Sequence, residues 1–142
     1  MNLIHASCVA LEDFGVLIRG KSGSGKSTLS LELIDKNYSL VSDDYCQITT
    51  LNGSIIASPP ENIKGKIEIR GYGIIKLPYQ ENVRVRLVVD LKENIMIERH
   101  CEDRFCKITN IEIPRIFLDG KNPFSSSIIR ILSTHITKKL GS

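Results

Sequence analysis

The sequence predicts an α/β fold: a β-rich, mixed sheet with few helices, wrapped around one glycine-rich loop. Three observations support this. Short strand-like runs outnumber helical stretches, of which only two are defensible. The core is aliphatic and β-branched, with 21 isoleucines against four Phe, four Tyr and no Trp, a bias that suits a buried sheet. Finally, the nearly continuous apolar run at 15–19 (GVLIR) leads straight into glycines and then into helical spacing, which is how a strand covered on both faces hands over to a helix.

Residues 3–11 (LIHASCVAL) read as a strand, followed by a turn at 12–15 and the strand 15–19. Leu29, Leu33 and Ile34 take helical core spacing, and Asn37 stops that helix. A short strand at 39–42 ends on the pair Asp43-Asp44. Asn52-Gly53 between QITTL and SIIA is a hairpin signal, and Pro59-Pro60 with Glu61-Asn62 marks a loop. Residues 66–70 alternate, placing Glu68 and Arg70 on one face and Ile67 and Ile69 on the other. Gly71 and Gly73 flank Tyr72, and Ile74-Ile75 resumes a strand. Residues 83–91 form the longest strand, with Arg84 and Arg86 opposite Val83, Val85 and Leu87. Further strands are expected at 95–99 and 113–118. A serine run at 125–127 opens a C-terminal helix through Ile128, Ile129, Ile131, Leu132 and Ile136.

With 142 residues and no repeat or linker, the chain reads as one domain over 1–142. Its charge of +3, from 19 basic and 16 acidic residues, is too balanced for an electrostatic nucleic-acid binder. Cys8, Cys46, Cys101 and Cys106 form no C-x-x-C, and His100, Cys101 and Cys106 match no zinc spacing. No leader pattern opens the chain, and no apolar stretch nears the ~18 residues that span a bilayer. The expectation is a cytoplasmic protein with no membrane partner.

Gly20-Lys21-Ser22-Gly23-Ser24-Gly25-Lys26-Ser27 satisfies G-x-x-x-x-G-K-[ST] between a strand and a helix, the context that a P-loop requires. The glycines let successive N–H groups turn inward around a phosphate, and the helix start adds its dipole. Lys26 suits the β- and γ-phosphates of ATP, and the Ser27 hydroxyl suits Mg²⁺. No N-K-x-D base-recognition motif and no transporter signature accompanies the loop. Asp43 and Asp44 fall at the end of the next strand, where open α/β sheets bind ligands. One can hold metal while the other takes a proton from an attacking hydroxyl. Adjacent carboxylates repel, so a raised pKa is expected in the pair.

Taken together, GVLIRGKSGSGKS, LELI, LVSDD and IEIRGYGII resemble the catalytic C-terminal domain of the HPr kinase/phosphorylase family, with weaker similarity in IPRIFL at 113–118. The resemblance implies an HPr kinase/PEP carboxykinase-like fold and an ATP-dependent kinase acting on a serine of an HPr-like phosphocarrier protein of the sugar phosphotransferase system. It also implies reversal by phosphorolysis and a hexameric homo-oligomer. By motif it makes His5, Lys26, Asp44 and Arg99 catalytic, and it assigns metal to Ser27, Glu68 and Asp43. The chain departs from the family in having Thr28 where Glu usually follows the P-loop serine. It also has Leu118-Asp119-Gly120-Lys121-Asn122-Pro123 where a basic glycine-containing loop is usual, so the resemblance carries kinase chemistry further than phosphorolysis. The family's long N-terminal domain has no counterpart here. Two other readings stay open at this point: a P-loop kinase of a small metabolite, and a nucleotide-sensing module without turnover.

Overall fold

A computed structural model describes residues 2–93 and 104–139 of the chain. Its elements run β1 (Asn2–His5), β2 (Ser7–Leu11), β3 (Phe14–Arg19), α1 (Lys26–Asp35), β4 (Ser39–Ser42), β5 (Tyr45–Leu51) and β6 (Ser54–Ser58). After a 3-10 turn at Glu61–Ile63 come β7 (Lys66–Ile69), β8 (Gly73–Lys76), β9 (Val83–Leu91), β10 (Phe105–Ile108), β11 (Ile111–Leu118) and α2 (Ser125–Lys139). The β-rich mixed sheet with two α-helices is the predicted architecture.

Among the described residues nine strands form one sheet, seven along the path β1-β5-β6-β9-β3-β2-β4 with β11 and β10 branching from β9, while β7 and β8 pair as a separate hairpin. β9 is where the sheet forks. One side of it runs parallel to β3. The other side meets β6 antiparallel at Val83 and Arg84, then β11 parallel from Val88 to Leu91, and β10 pairs outside β11. Two short connections cross between the halves of the sheet: Ala6 joins β1 to β2, and Asp43-Asp44 joins β4 to β5. These corners lie side by side, because His5 pairs with Tyr45 and Cys8 with Ser42.

Two hydrophobic cores result. One lies inside the folded sheet and takes Cys8, Leu17, Val41, Cys46, Ile48, Ile55, Val85, Val88 and Ile113. The other lies under the helices and takes Val16, Ile18, Leu29, Leu33, Leu87, Val89, Leu118 and Ile129. α1 and α2 are tied by Tyr38 Oη donating to Ser133 Oγ at 2.6 Å and by Arg130 donating to the Lys36 carbonyl at 2.6 Å.

The structure corrects four local expectations. The run 3–11 is two strands, because the chain turns the corner at the fully buried Ala6 without the Gly or Pro that would announce it. The alternation in 83–91 breaks at a bulge: Gly15 faces Val85 but Val16 faces Leu87, leaving Arg86 as the extra residue. Leu87 therefore joins the helix-side core and not the one shared by Val83 and Val85. β10 was not anticipated, and β11 starts two residues earlier than expected. Their turn is Thr109-Asn110, both at positive φ (48° and 66°), a hairpin geometry usually signalled by Asn-Gly. The strand expected at 95–99 lies outside the described residues.

Candidate active site

The P-loop joins β3 to α1. Gly23 and Gly25 take φ of 82° and 101°, left-handed values that side chains resist. Gly25 is also the N-cap of α1 and offers no side-chain cap, so the first-turn N–H groups stay available for an anion. Lys26 curls over the loop, donating from Nζ to the carbonyls of Gly20 (2.7 Å) and Lys21 (3.0 Å). Ser24 Oγ is buried with no partner among the described residues. Lys21 and Ser22 stand exposed at the loop's tip.

Asp43 and Asp44 share a corner but sit in different environments. The Asp43 side chain points inward, its residue 9% exposed. Its Oδ1 accepts from Ser27 Oγ at 3.0 Å and from Ser7 Oγ at 3.3 Å, and the Glu68 backbone N–H reaches the same carboxylate. Burial pushes the Asp43 carboxyl above the usual carboxylate range, partly offset by those hydrogen bonds; the charge of Asp44 is the smallest contribution. The raised pKa expected from repulsion is therefore present, but desolvation causes it.

Asp44 sits at φ 70° in the centre of a three-residue turn closed by Tyr45 N–H on the Asp43 carbonyl, 2.8 Å. A positive φ in such a turn is strained, and strain of this kind gathers at functional sites. Here it swings the Asp44 carboxylate out towards solvent and onto His5, whose Nε2 lies 2.9 Å from Oδ1. The side chains of this pair are 39% (His5) and 59% (Asp44) exposed. The His5 ring also packs on Tyr45 with centroids 5.1 Å apart.

Ser7 is the residue that the sequence reading missed. Its hydroxyl donates to the Asp43 carboxylate and accepts the Asp44 backbone N–H at 3.1 Å, so one buried side chain ties the Asp43 carboxylate to the Asp44 backbone. The only signal was a polar residue within an apolar strand. Glu68 lies on β7 with its side chain facing the cleft and exposed. Arg99, and with it His100 and Cys101, lies outside the described residues.

Behind the P-loop, Arg19 grips Asp90 through two bonds, Nε at 2.7 Å and Nη2 at 2.9 Å, and Arg115 adds a third at 3.1 Å. This triad ties the carboxyl ends of β3 and β9 to the middle of β11. Burial alone would raise the Asp90 carboxyl, but Arg19 and then Arg115 outweigh it and hold it below its ordinary value. The loop after β11 presses on the P-loop itself: a Cβ on Gly120 would stand 2.1 Å from the Ser24 carbonyl oxygen. An open cleft of about 1140 Å³ runs along this edge, lined by the P-loop, Asp43, Asp44, Glu68, Arg70 and Lys121 among others.

A P-loop on a β-rich sheet, with a buried carboxylate on its serine and an exposed one beside it, places the chain among the P-loop domains. Residues 1–129 match the family model of the HPr serine kinase C-terminal domain, and the chain belongs to that family. It is 38% identical over 128 residues to the HPr kinase/phosphorylase of Geobacillus thermodenitrificans, covering 80% of this chain and 40% of that protein. It is 34% identical over 152 residues to the Caldanaerobacter subterraneus HPr kinase/phosphorylase, covering 97% and 50%. The chain thus spans two fifths to half the length of these curated relatives. The HPr(Ser) kinase/phosphatase structure from Coxiella burnetii superposes with a TM-score of 0.86 at 28% identity, covering 100% of each chain.

Proposed function

We propose that this chain is the catalytic unit of an ATP-dependent protein-serine kinase acting on an HPr-like phosphocarrier protein. The observation that carries this reading is the division of labour between neighbouring carboxylates. Asp43 is buried against Ser27, whereas Asp44 is exposed and paired with His5.

The triphosphate is held by the inward N–H groups of residues 20–27 and by Lys26, which needs only to leave the loop carbonyls it now contacts. A serine hydroxyl approaching the open corner meets Asp44. Its proton passes to the Asp44 carboxylate as the serine oxygen bonds to the γ-phosphorus and the bond to the ADP oxygen breaks. His5 holds the carboxylate in place from the side. Asp44 is exposed enough for a residue on another protein to reach it, which a site for a small metabolite would not require.

The donor set fits Mg²⁺. Ser27 and Asp43 present hard oxygens 3.0 Å apart, and no cation pairs with the buried Asp43 carboxylate among the described residues. Ser27 and Asp43 would hold the ion, with Glu68 completing the set from β7. Once bound, it supplies charge neutralisation on the phosphates.

Three further parts of the reading rest on family membership: a homo-oligomeric, hexameric assembly; a cytoplasmic setting; and 1–142 as one catalytic domain. Among the described residues no helix is long and apolar enough to cross a membrane. Phosphorolysis replaces ADP by inorganic phosphate: a phosphate oxygen bonds to the phosphorus of the phosphoserine, the bond to the serine oxygen breaks, Asp44 returns the proton to that oxygen, and pyrophosphate leaves. Incubating the phosphorylated carrier with inorganic phosphate and measuring pyrophosphate tests that direction. For the forward reaction, mass spectrometry of the carrier after incubation with Mg²⁺ and ATP should show one phosphoserine. An unmodified carrier, with phosphate transferred instead to a metabolite, would overturn the protein-kinase reading.

A further inference from the structure

The cleft has two ends, and in-line chemistry gives them different occupants. β4, β3, β9 and β11 point the same way, so their carboxyl ends share one edge. Along it Asp43 and Asp44 lie on one side of the P-loop, after β4, and Asp119–Pro123 lies on the other, after β11. The β7–β8 hairpin belongs to the Asp43 side, because the segment that follows it runs along β4: Tyr79 bridges Leu40, and the Gln80 N–H donates to the Leu40 carbonyl at 2.9 Å. Both ends offer apolar surface: Ile63 and Ile74 on the Asp43 side, Leu31 and Pro123 on the other. Lining alone does not choose between them.

The direction of transfer does. Attacking and leaving oxygens lie roughly in line across the phosphorus. With the acceptor hydroxyl at Asp44, the leaving nucleotide extends away from the hairpin, towards the loop after β11. That loop is preformed. Gly120 sits backbone to backbone on Ser24 and Gly25, the Lys121 N–H donates to Asp119 Oδ1 at 2.9 Å, and Ser125 Oγ donates to the Asp119 carbonyl at 2.7 Å. Asn122 Oδ1 accepts the Phe124 N–H at 2.9 Å, which fixes the carboxamide and leaves its nitrogen with no hydrogen-bond partner among the described residues.

We infer that the nucleoside end of the donor lies between Thr28–Glu32 of α1 and Lys121–Pro123. Its base packs on Leu31 and Pro123, and the Asn122 amide nitrogen donates to the base edge. This rests on the nucleotide-dependent transfer proposed above and adds where the nucleoside is read.

Calorimetric titration with ATP and with inorganic tripolyphosphate, each with Mg²⁺, tests it, because only ATP carries a base. Leu31→Gln and Pro123→Ser should each weaken ATP about fivefold, the loss of roughly one kcal/mol of apolar contact. Tripolyphosphate should stay within about twofold of wild type. Equal weakening of both ligands, or unchanged ATP affinity in both variants, overturns the inference while leaving the P-loop reading intact. Wild-type protein that binds neither ligand overturns the nucleotide reading itself. Photolabelling with 8-azido-ATP gives an independent check. Label is expected in 28–32 or 119–124, and label confined to 61–76 contradicts the placement.

Discussion

At the scale of single residues, the site depends on two aspartates next to each other in sequence being made different by environment. Asp44→Asn tests this cleanly, because Asn tolerates a φ of 70° better than Ala and keeps the shape of the side chain. ATP affinity should stay near wild type, while transfer falls at least ~100-fold, the usual size of a lost general base. Equilibrium titration and initial rates on the same preparation give both numbers. Asp90 makes a prediction of the opposite kind, about stability. Its carboxyl is held below the ordinary 3.8 by Arg19 and Arg115, so the stabilisation is present above the unfolded value and fades as pH drops through the lowered one. Asp90→Asn should cost roughly 1.5–3 kcal/mol near pH 7, by denaturant melts. The gap should close as the melts are repeated at progressively more acidic pH.

At the scale of elements, the P-loop is held in place by what packs behind and against it. Gly120→Ala drives a Cβ into the Ser24 carbonyl. It should cost roughly 1–3 kcal/mol of stability and weaken ATP binding, as the loop is displaced. Gly53→Ala is the control: its φ is 77° but nothing lies within 4 Å. It should cost only about 1 kcal/mol and leave ATP affinity unchanged. Melts and titrations of both variants separate the two cases. This scale also shows what the sequence could convey. The P-loop, α1 and the Asn52-Gly53 hairpin were legible because glycines and apolar spacing state them locally. The Ala6 corner, the Arg86 bulge and the Thr109-Asn110 turn were not, since each is imposed by strands pairing across the fold. The contact of Gly120 with Gly25 was equally hidden, being a meeting of backbones nearly a hundred positions apart.

At the scale of the whole molecule, the folded-over sheet explains why the site stands where it does. Two connections cross between its halves, and they bring His5 from β1 beside Asp44 before β5. The sequence supplied Asp44 from its place at the end of a strand as well as by family resemblance, and His5 by the resemblance alone. Their pairing at 2.9 Å and the Ser7 bridge come from the crossing itself. Because ligand binding stabilises only the folded state, Mg²⁺ and ATP at about 100 times Kd should raise stability by about 2.7 kcal/mol. Lys26→Ala should abolish most of that shift in a thermal melt, without lowering the melting temperature of the unliganded protein by a similar amount. Sedimentation velocity on the same samples reads the proposed oligomer: one species near six protomers is expected, and a monomer at all concentrations would contradict it.

The most direct measurement of the central claim is transfer of label from γ-labelled ATP to an HPr-like carrier, comparing wild type with Asp44→Asn. Wild type with Mg²⁺ should place label on one serine of the carrier, and Asp44→Asn should be slower by at least ~100-fold. Undiminished transfer by Asp44→Asn, or no transfer by wild type across divalent metals, would contradict the account.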